Sequence, residues 1–226
     1  MSPNTSNDRH LHFVRDNTVA TQAPLVPEIT LHLASEVTPL WHATEAYLEQ
    51  NNLPPPYWAF AWPGGQTFAR LLLDRPELAR GRKVLDFASG CGIAAIAAAK
   101  AGAAQVVATE IDAFAVAALG LNAALNDVRF DIFEGDILAD PPVGWDLILA
   151  GDVCYEKPMA DRTVAWLNLA VAGGAEVLIA DPGRAYLPKT GLSEIARHDV
   201  PTPLDLENRK IMTTVIYRYT DTASRL

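Results

Sequence analysis

Cysteine is scarce. The 226 residues contain two, Cys91 and Cys154, too few for a disulfide framework, which points to a reducing compartment. Histidine is sparse and scattered over His10, His12, His32, His42 and His198. There is no HExxH pair and no Cys/His cluster at metal spacing, so no metal is expected. Basic residues are outnumbered, 18 Lys and Arg against 27 Asp and Glu, giving a net charge of -9. That balance argues against a phosphate-binding nucleic-acid groove and is compatible with a basic, lysine-bearing substrate. No uninterrupted apolar run reaches the ~18 residues that would span a bilayer, and the start, MSPNTSNDRHLHFVRDNT, has no apolar signal region. A soluble, cytoplasmic, monomeric protein is expected, with neither a membrane nor a nucleic acid as partner.

Against those absences stand a hydrophobic content of 50% and an ordered alternation of patterns. Residues 1–26 are polar and unpatterned and are expected to be partly mobile. Residues 27–82 read as an N-terminal helical segment. Within it, SEVTPLWHATEAYLEQ (35–50) places Trp41, Thr44, Glu45 and Leu48 at helical spacing, and Gln66 to Leu73 forms a second amphipathic stretch. From Lys83 to the end, short apolar runs alternate with helical ones: KVLDFAS, then GIAAIAAAKAGA; QVVATEID, then AFAVAALGLNAALN; VRFDIFEGD; WDLILAGD, then PMADRTVAWLNLAVAGG; and AEVLIADPGR. The β-branched run KIMTTVIYRYT follows the apparent loop DVPTPLDLENR. This predicts one α/β domain with a Rossmann-like, doubly wound, mostly parallel seven-stranded sheet, an antiparallel C-terminal edge hairpin and N-terminal helices.

In such sheets ligands bind at the carboxyl ends of the strands. Each predicted strand end carries an acid: Asp86, Glu110, Asp136, Asp152 and Asp181. Turn and cap preferences explain each singly, but not five along one edge as easily. The loop DFASGCGIAA contains Gly90-x-Gly92-x-x-Ala95, with Glu110 about 20 residues on, a loose dinucleotide pattern. Asp86 separates the readings. A pyrophosphate on the next helix N-terminus is disfavoured by a carboxylate beside it. S-adenosylmethionine has no phosphate and carries an ammonium and a sulfonium, which an acid suits. No GxxxxGK[ST] loop is present for a nucleoside triphosphate. Glu110 then becomes the ribose acceptor and Asp136 the adenine acceptor, with Ile137 against the ring. Gly90 allows close backbone approach.

VLDFASGCG, the acid of VVATEID and EGDIL resemble the motif series of the seven-strand class I methyltransferases over about residues 60–220. The departure is Ala88, where many members have the first glycine of the loop. Asp152-Val-Cys-Tyr155 at the fourth strand end resembles the protein-lysine branch, whereas enzymes acting on planar nitrogens often carry Asn-Pro-Pro-Tyr there. A lysine side chain, with a reference pKa near ~10.4, arrives as an ammonium and must lose a proton before it attacks. Asp152 would orient it and Tyr155 would supply a wall, a hydroxyl or a cation–π contact. The plainer alternative makes Asp152 a cap and Tyr155 core packing. NNLPPPYW (51–58) only superficially resembles Asn-Pro-Pro-Tyr and reads as a stiff linker.

YWAFAWPGGQTFARLLLD and VLIADPGRAYL are similar to the family that methylates lysines of the electron transfer flavoprotein beta subunit. That resemblance implies that Trp62 lies over the cofactor, with Gly64, Gly65 and Gln66 beside it, and that Asp181, Pro182 and Arg184 face the target protein. The expected catalytic pair is Asp152 and Tyr155. The expected cofactor set is Trp62, Asp86, Ala88, Ser89, Gly90, Glu110, Ile111, Asp136, Ile137 and Gly151. Alternatives are a ribosomal-protein target, a small-molecule methyltransferase and a nicotinamide oxidoreductase.

Overall fold

The computed structural model describes residues 3–36, 38, 40, 48, 50, 53–203 and 209–220. Its centre is β3 (Lys83–Phe87), whose register pairs it in parallel with β4 (Gln105–Glu110) on one side and β6 (Leu147–Gly151) on the other. With β5 (Asp131–Glu134), β7 (Glu176–Asp181), β8 (Leu192–Pro201) and β9 (Ile211–Tyr219), the sheet has seven strands in the order β5-β4-β3-β6-β7-β9-β8. The first five run parallel, and β9 and β8 are antiparallel, so the expected edge hairpin is present.

The central strands are apolar on both sides because both faces are covered. Val84, Leu147, Leu149, Leu178 and Ala180 pack with α2 (Pro63–Asp74) and α3 (Ile93–Lys100). Leu85, Phe87, Ile148, Ala150, Val177 and Ile179 pack instead with Trp166 and Leu167 of α5 (Lys157–Ala172). The period-two alternation of the strands thus divides two cores. α3 is nearly all alanine and isoleucine and has six buried positions, which lets it lie close to both the sheet and α2.

Three expectations change. Residues 1–26 are not unpatterned: α1 (Pro3–Asn17) leads into a two-stranded hairpin, β1 (Val19–Ala23) and β2 (Val26–Leu33). The polar composition of α1 hides a short apolar contact, Val14 and Phe13 against α4 (Ala113–Leu125), with the Phe13 and Phe114 rings 4.6 Å apart. Nor is 27–82 wholly helical, since β2 occupies its start. Asn122 of α4 and Asn126, the residue that caps its end one turn on, dock β2: Asn122 Oδ1 accepts from His32 N (2.7 Å), Asn126 Oδ1 accepts from Thr30 N (3.1 Å), and Asn126 Nδ2 donates to Thr30 O (2.7 Å). The start of DVPTPLDLENR, Asp199–Pro201, belongs to β8 rather than to a loop. β8 is an edge strand bearing Glu194, Arg197 and Asp199, and its charge masks the strand signal while protecting the edge. Most of the helix expected over 35–50 lies outside the described residues.

Candidate active site

From β3 the chain runs to β4 and β5 on one side and returns to β6 on the other, so the carboxyl ends of β3 and β6 flank the switch point. The loop after β3 is tightly tied there. Ser89 N donates to Thr109 O (3.0 Å), Ser89 Oγ donates to Asp86 O (2.7 Å), and Thr109 N donates to Ser89 Oγ (3.1 Å). Ala88 has φ +51° and Gly90 φ +55°. The first glycine of the related loops therefore stands at a left-handed position, which alanine occupies here at a cost of about 1–2 kcal/mol.

Asp86 is 4% exposed, and its Oδ2 accepts from Ala95 N (3.0 Å), in the first turn of α3. Burial is the main reason its carboxyl is pushed up to about 7, and the nearby Glu110 adds to the shift. Glu110 bridges the two strand ends: Oε1 accepts from Gly90 N (2.7 Å) and Oε2 from Ile111 N (3.1 Å), while burial raises its pKa.

On the other flank Asp152 adopts φ +55°, uncommon for a non-glycine residue, directly after β6. Its Oδ2 accepts from Gly64 N (2.7 Å) at the start of α2, where the helix dipole favours a carboxylate. Two glycines, Gly64 and Gly151, make this approach possible. A Cβ on Gly64 would stand 2.5 Å from Asp152 Oδ2 and 2.8 Å from Ala180 O, and one on Gly151 would stand 3.3 Å from Gly65 N. Arg184 Nη2 lies 3.9 Å from Asp152 Oδ1. Asp181 holds the turn that delivers Arg184: its buried Oδ1 accepts from Gly183 N (2.7 Å) and Arg184 N (2.6 Å). Burial also pushes the neighbouring Cys154 thiol up to about 12, with Asp181 and Asp152 adding to it.

Aromatic rings border this flank. Trp62 Nε1 donates to Tyr57 O (2.8 Å), and the Tyr57 ring lies 6.1 Å from Trp62 and 5.8 Å from Tyr155. Phe60 packs edge-on to Trp62 at 5.9 Å.

Of the residues anticipated from sequence, Trp62, Asp86, Ala88, Ser89, Gly90, Gly151 and Asp152 line one cleft. Glu110 joins it through Gly90, and Arg184 through Asp152. Ile111, Asp136 and Ile137 are not in its lining, although they follow β4 and β5 on the same edge. Ile111 is 76% exposed. Asp136 Oδ1 accepts from Leu138 N (3.1 Å) and Oδ2 from Arg162 (2.6 Å), which holds its carboxyl below the usual range. Phe60 and Phe68 also line the cleft beyond the residues expected from sequence; the aromatic-rich run before Pro63 is the available signal for Phe60, and the apolar face of α2 for Phe68. A larger cleft of about 840 Å³ lies beside Gln105 and Asp131, the opposite ends of β4 and β5, away from the clustered acids.

No lysine or arginine is among the residues lining the cleft at β3 and β6, and a buried acid faces the α3 N-terminus. Those features suit a cationic, amino-acid-bearing ligand better than a phosphate. Fold and site together define a Rossmann-like protein with a cleft suited to such a ligand at its switch point.

Comparison with known proteins agrees. Residues 71–151 match the family model of ribosomal protein L11 methyltransferase (PrmA). The fold resembles a putative RNA methyltransferase from Pyrococcus horikoshii (TM-score 0.52, 17% identity, 72% of this chain and 83% of that one). It also resembles the Pyrococcus abyssi tRNA (uracil-54, C5)-methyltransferase in complex with S-adenosyl-L-homocysteine (TM-score 0.51, 18% identity, 67% and 38%). The sequence is 37% identical over 226 residues to the electron transfer flavoprotein beta subunit lysine methyltransferase of Danio rerio, covering 97% of this chain and 86% of the relative. It is 41% identical to the Homo sapiens protein of that name, covering 92% and 80%. The chain belongs to the electron transfer flavoprotein beta subunit lysine methyltransferase family.

Proposed function

We propose that this enzyme transfers methyl groups from S-adenosylmethionine to lysine side chains of an electron transfer flavoprotein beta subunit. The observation that carries the reading is Asp152, held in a left-handed conformation at the switch point with one oxygen on the α2 N-terminus and the other toward Arg184. Asp86, Ser89 and Gly90 would hold the amino-acid end of the cofactor and Glu110 its ribose. Asp136 and Ile137 would serve the adenine, with Asp136 exchanging or sharing its Arg162 contact. Trp62 would cover the cofactor. When bound, S-adenosylmethionine supplies an electrophilic methyl group.

The chain's own part is to prepare the amine. Asp152 accepts from the incoming ammonium and fixes its direction, and the buried setting favours loss of one proton to solvent. The neutral nitrogen would then be directed to receive that methyl group, with the C–S electron pair left on sulfur. Burial, with Tyr57, Glu156 and Glu110 nearby, raises the Tyr155 pKa, so its hydroxyl stays protonated at neutral pH and serves as a donor and a wall. Pro182 and Arg184 would form the target-facing rim in this reading; Asp181, expected there from sequence, is buried and holds the turn beneath them instead.

The test is methyl transfer from labelled S-adenosylmethionine to purified flavoprotein beta subunit, with the product peptides read by mass spectrometry. Methyl-lysine on the subunit is expected. Label passing only to small molecules of a host extract would overturn the assignment.

A further inference from the structure

The stretch LPPPYW (53–58) has no role in the reading so far, yet it sets an exposed aromatic ring against Trp62 of the cleft. Three prolines fix the approach to Tyr57, whose N–H donates to Pro55 O (2.8 Å), while Ala59 N donates to Pro56 O (2.9 Å). Trp58 and Ala59 are buried, and Ala34 N donates to Ala59 O (2.8 Å), anchoring the turn to the end of the β1–β2 hairpin. Tyr57 remains 51% exposed and its neighbour Tyr155 42%. The rings of Tyr155 and Trp62 tilt against Tyr57 at 56° and 63°, so the three bound a corner and not a stack.

We propose that Tyr57 is a substrate-binding residue: with Tyr155 and Trp62 it forms an aromatic corner that receives the lysine ammonium and its methylated forms. This rests on the lysine methyltransferase reading above and deepens it. The centroid separations of 5.8 and 6.1 Å are too short for an alkyl chain to slide between two rings, which takes roughly 7 Å, twice a carbon–carbon contact. The cation therefore sits on the open faces of the corner, whose Tyr155 is three residues along the chain from Asp152 and whose Trp62 lines the same cleft as Asp152. Each transfer forms one N–C bond, breaks one C–S bond and releases one proton from nitrogen before the next. As it proceeds, an N–H that a carboxylate can accept is replaced by a methyl that only the rings can cover. Affinity passes from Asp152 to the aromatic corner, and the corner governs how far methylation continues.

The experiment compares wild type, Tyr57→Ala, Tyr57→Leu and Tyr57→Phe on the purified beta subunit. It records KM, kcat, the mono-, di- and trimethyl distribution, and S-adenosylmethionine affinity. Tyr57→Ala and Tyr57→Leu are expected to raise the protein KM by roughly five- to thirtyfold, the scale of a partly desolvated cation–π contact, and to shift the product toward monomethyl-lysine. Tyr57→Phe keeps the π face and is expected to restore most of both. Cofactor affinity should hold within about twofold, since Trp62 Nε1 is held by the Tyr57 backbone carbonyl and not its ring. An unchanged KM and product distribution in Tyr57→Ala, or full recovery by Tyr57→Leu, would overturn the inference while leaving the enzyme's function standing. A wild type that leaves the subunit unmethylated would sink the proposed function, and this inference with it.

Discussion

Replacing Gly64 by alanine adds one carbon where the structure has no room. The new Cβ would stand 2.5 Å from Asp152 Oδ2 and 2.8 Å from Ala180 O. The carboxylate can swing aside, but the carbonyl belongs to β7 and cannot, so the α2 N-terminus must retreat. Overpacking of this kind costs about 1–3 kcal/mol. Retreat also weakens the 2.7 Å bond from Gly64 N to the Asp152 carboxylate, worth about 1.5–3 kcal/mol as a bond to a charged group. The better helix propensity of alanine returns at most about 1 kcal/mol. The net loss is about 2–5 kcal/mol, a fall in Tm of roughly 4–20 °C for a chain of this size. Gly65→Ala is the control: its Cβ meets only Ile93 Cγ2, at 3.0 Å, and a side-chain methyl can shift. Thermal and urea unfolding of both variants, with methyl transfer measured below the transition, separates them. If Gly64→Ala unfolds within about 2 °C of wild type and keeps its activity, the account of how Asp152 is held is wrong.

Two further variants test the cleft and the hairpin docked near it. Asp86 takes its proton at about 7 in the folded chain, against ~3.9 when unfolded. Between those values the unfolded chain binds fewer protons than the native one, so stability is lost as pH rises through that window. Asp86→Asn keeps an acceptor for Ala95 N without that loss. It should gain on wild type by about 2–4 kcal/mol between pH 4.5 and 7.5 in urea titrations, and parallel profiles would refute the buried-acid assignment. Asn122→Ala removes partners from the His32 N–H and, through Asn122 Nδ2 (2.8 Å), from Cys91 O in the glycine loop. It should cost about 2–4 kcal/mol and speed amide exchange at His32, and unchanged protection there would contradict the docking role.

Legibility followed the length scale of the interaction. Strands β3, β4, β6 and β7 were readable because burial on both faces gives uninterrupted apolar runs, and their ends located Asp86, Glu110 and Asp152 without knowledge of the pairing order. β8 was not, because Glu194, Arg197 and Asp199 on an exposed edge break the apolar pattern. α1 and the first hairpin were missed because α1 buries only a few side chains and β2 is completed by Asn122 and Asn126, some 90 residues away. At the site, residue types were foreseeable but hydrogen-bond partners were not. Asp86 and Glu110 read as ligand acids, yet each already accepts a backbone N–H that stiffens the loop. Asp136 read as an adenine acceptor, and its pairing with Arg162 depends on the placement of α5. Tyr57 reads as linker in the sequence because nothing local shows that its ring meets Tyr155, 98 positions on.

The most direct test of the central claim is Asp152→Asn, assayed for methyl transfer to the flavoprotein beta subunit alongside S-adenosylmethionine binding. The amide keeps an oxygen for Gly64 N, so the fold and cofactor affinity should survive, while the charge that receives the lysine ammonium is gone. The account predicts a fall in kcat/KM of about 10²- to 10³-fold with cofactor binding changed only a few fold. A folded variant that retains more than about a tenth of wild-type activity would contradict it, and would leave Asp152 as a cap for α2 and nothing more.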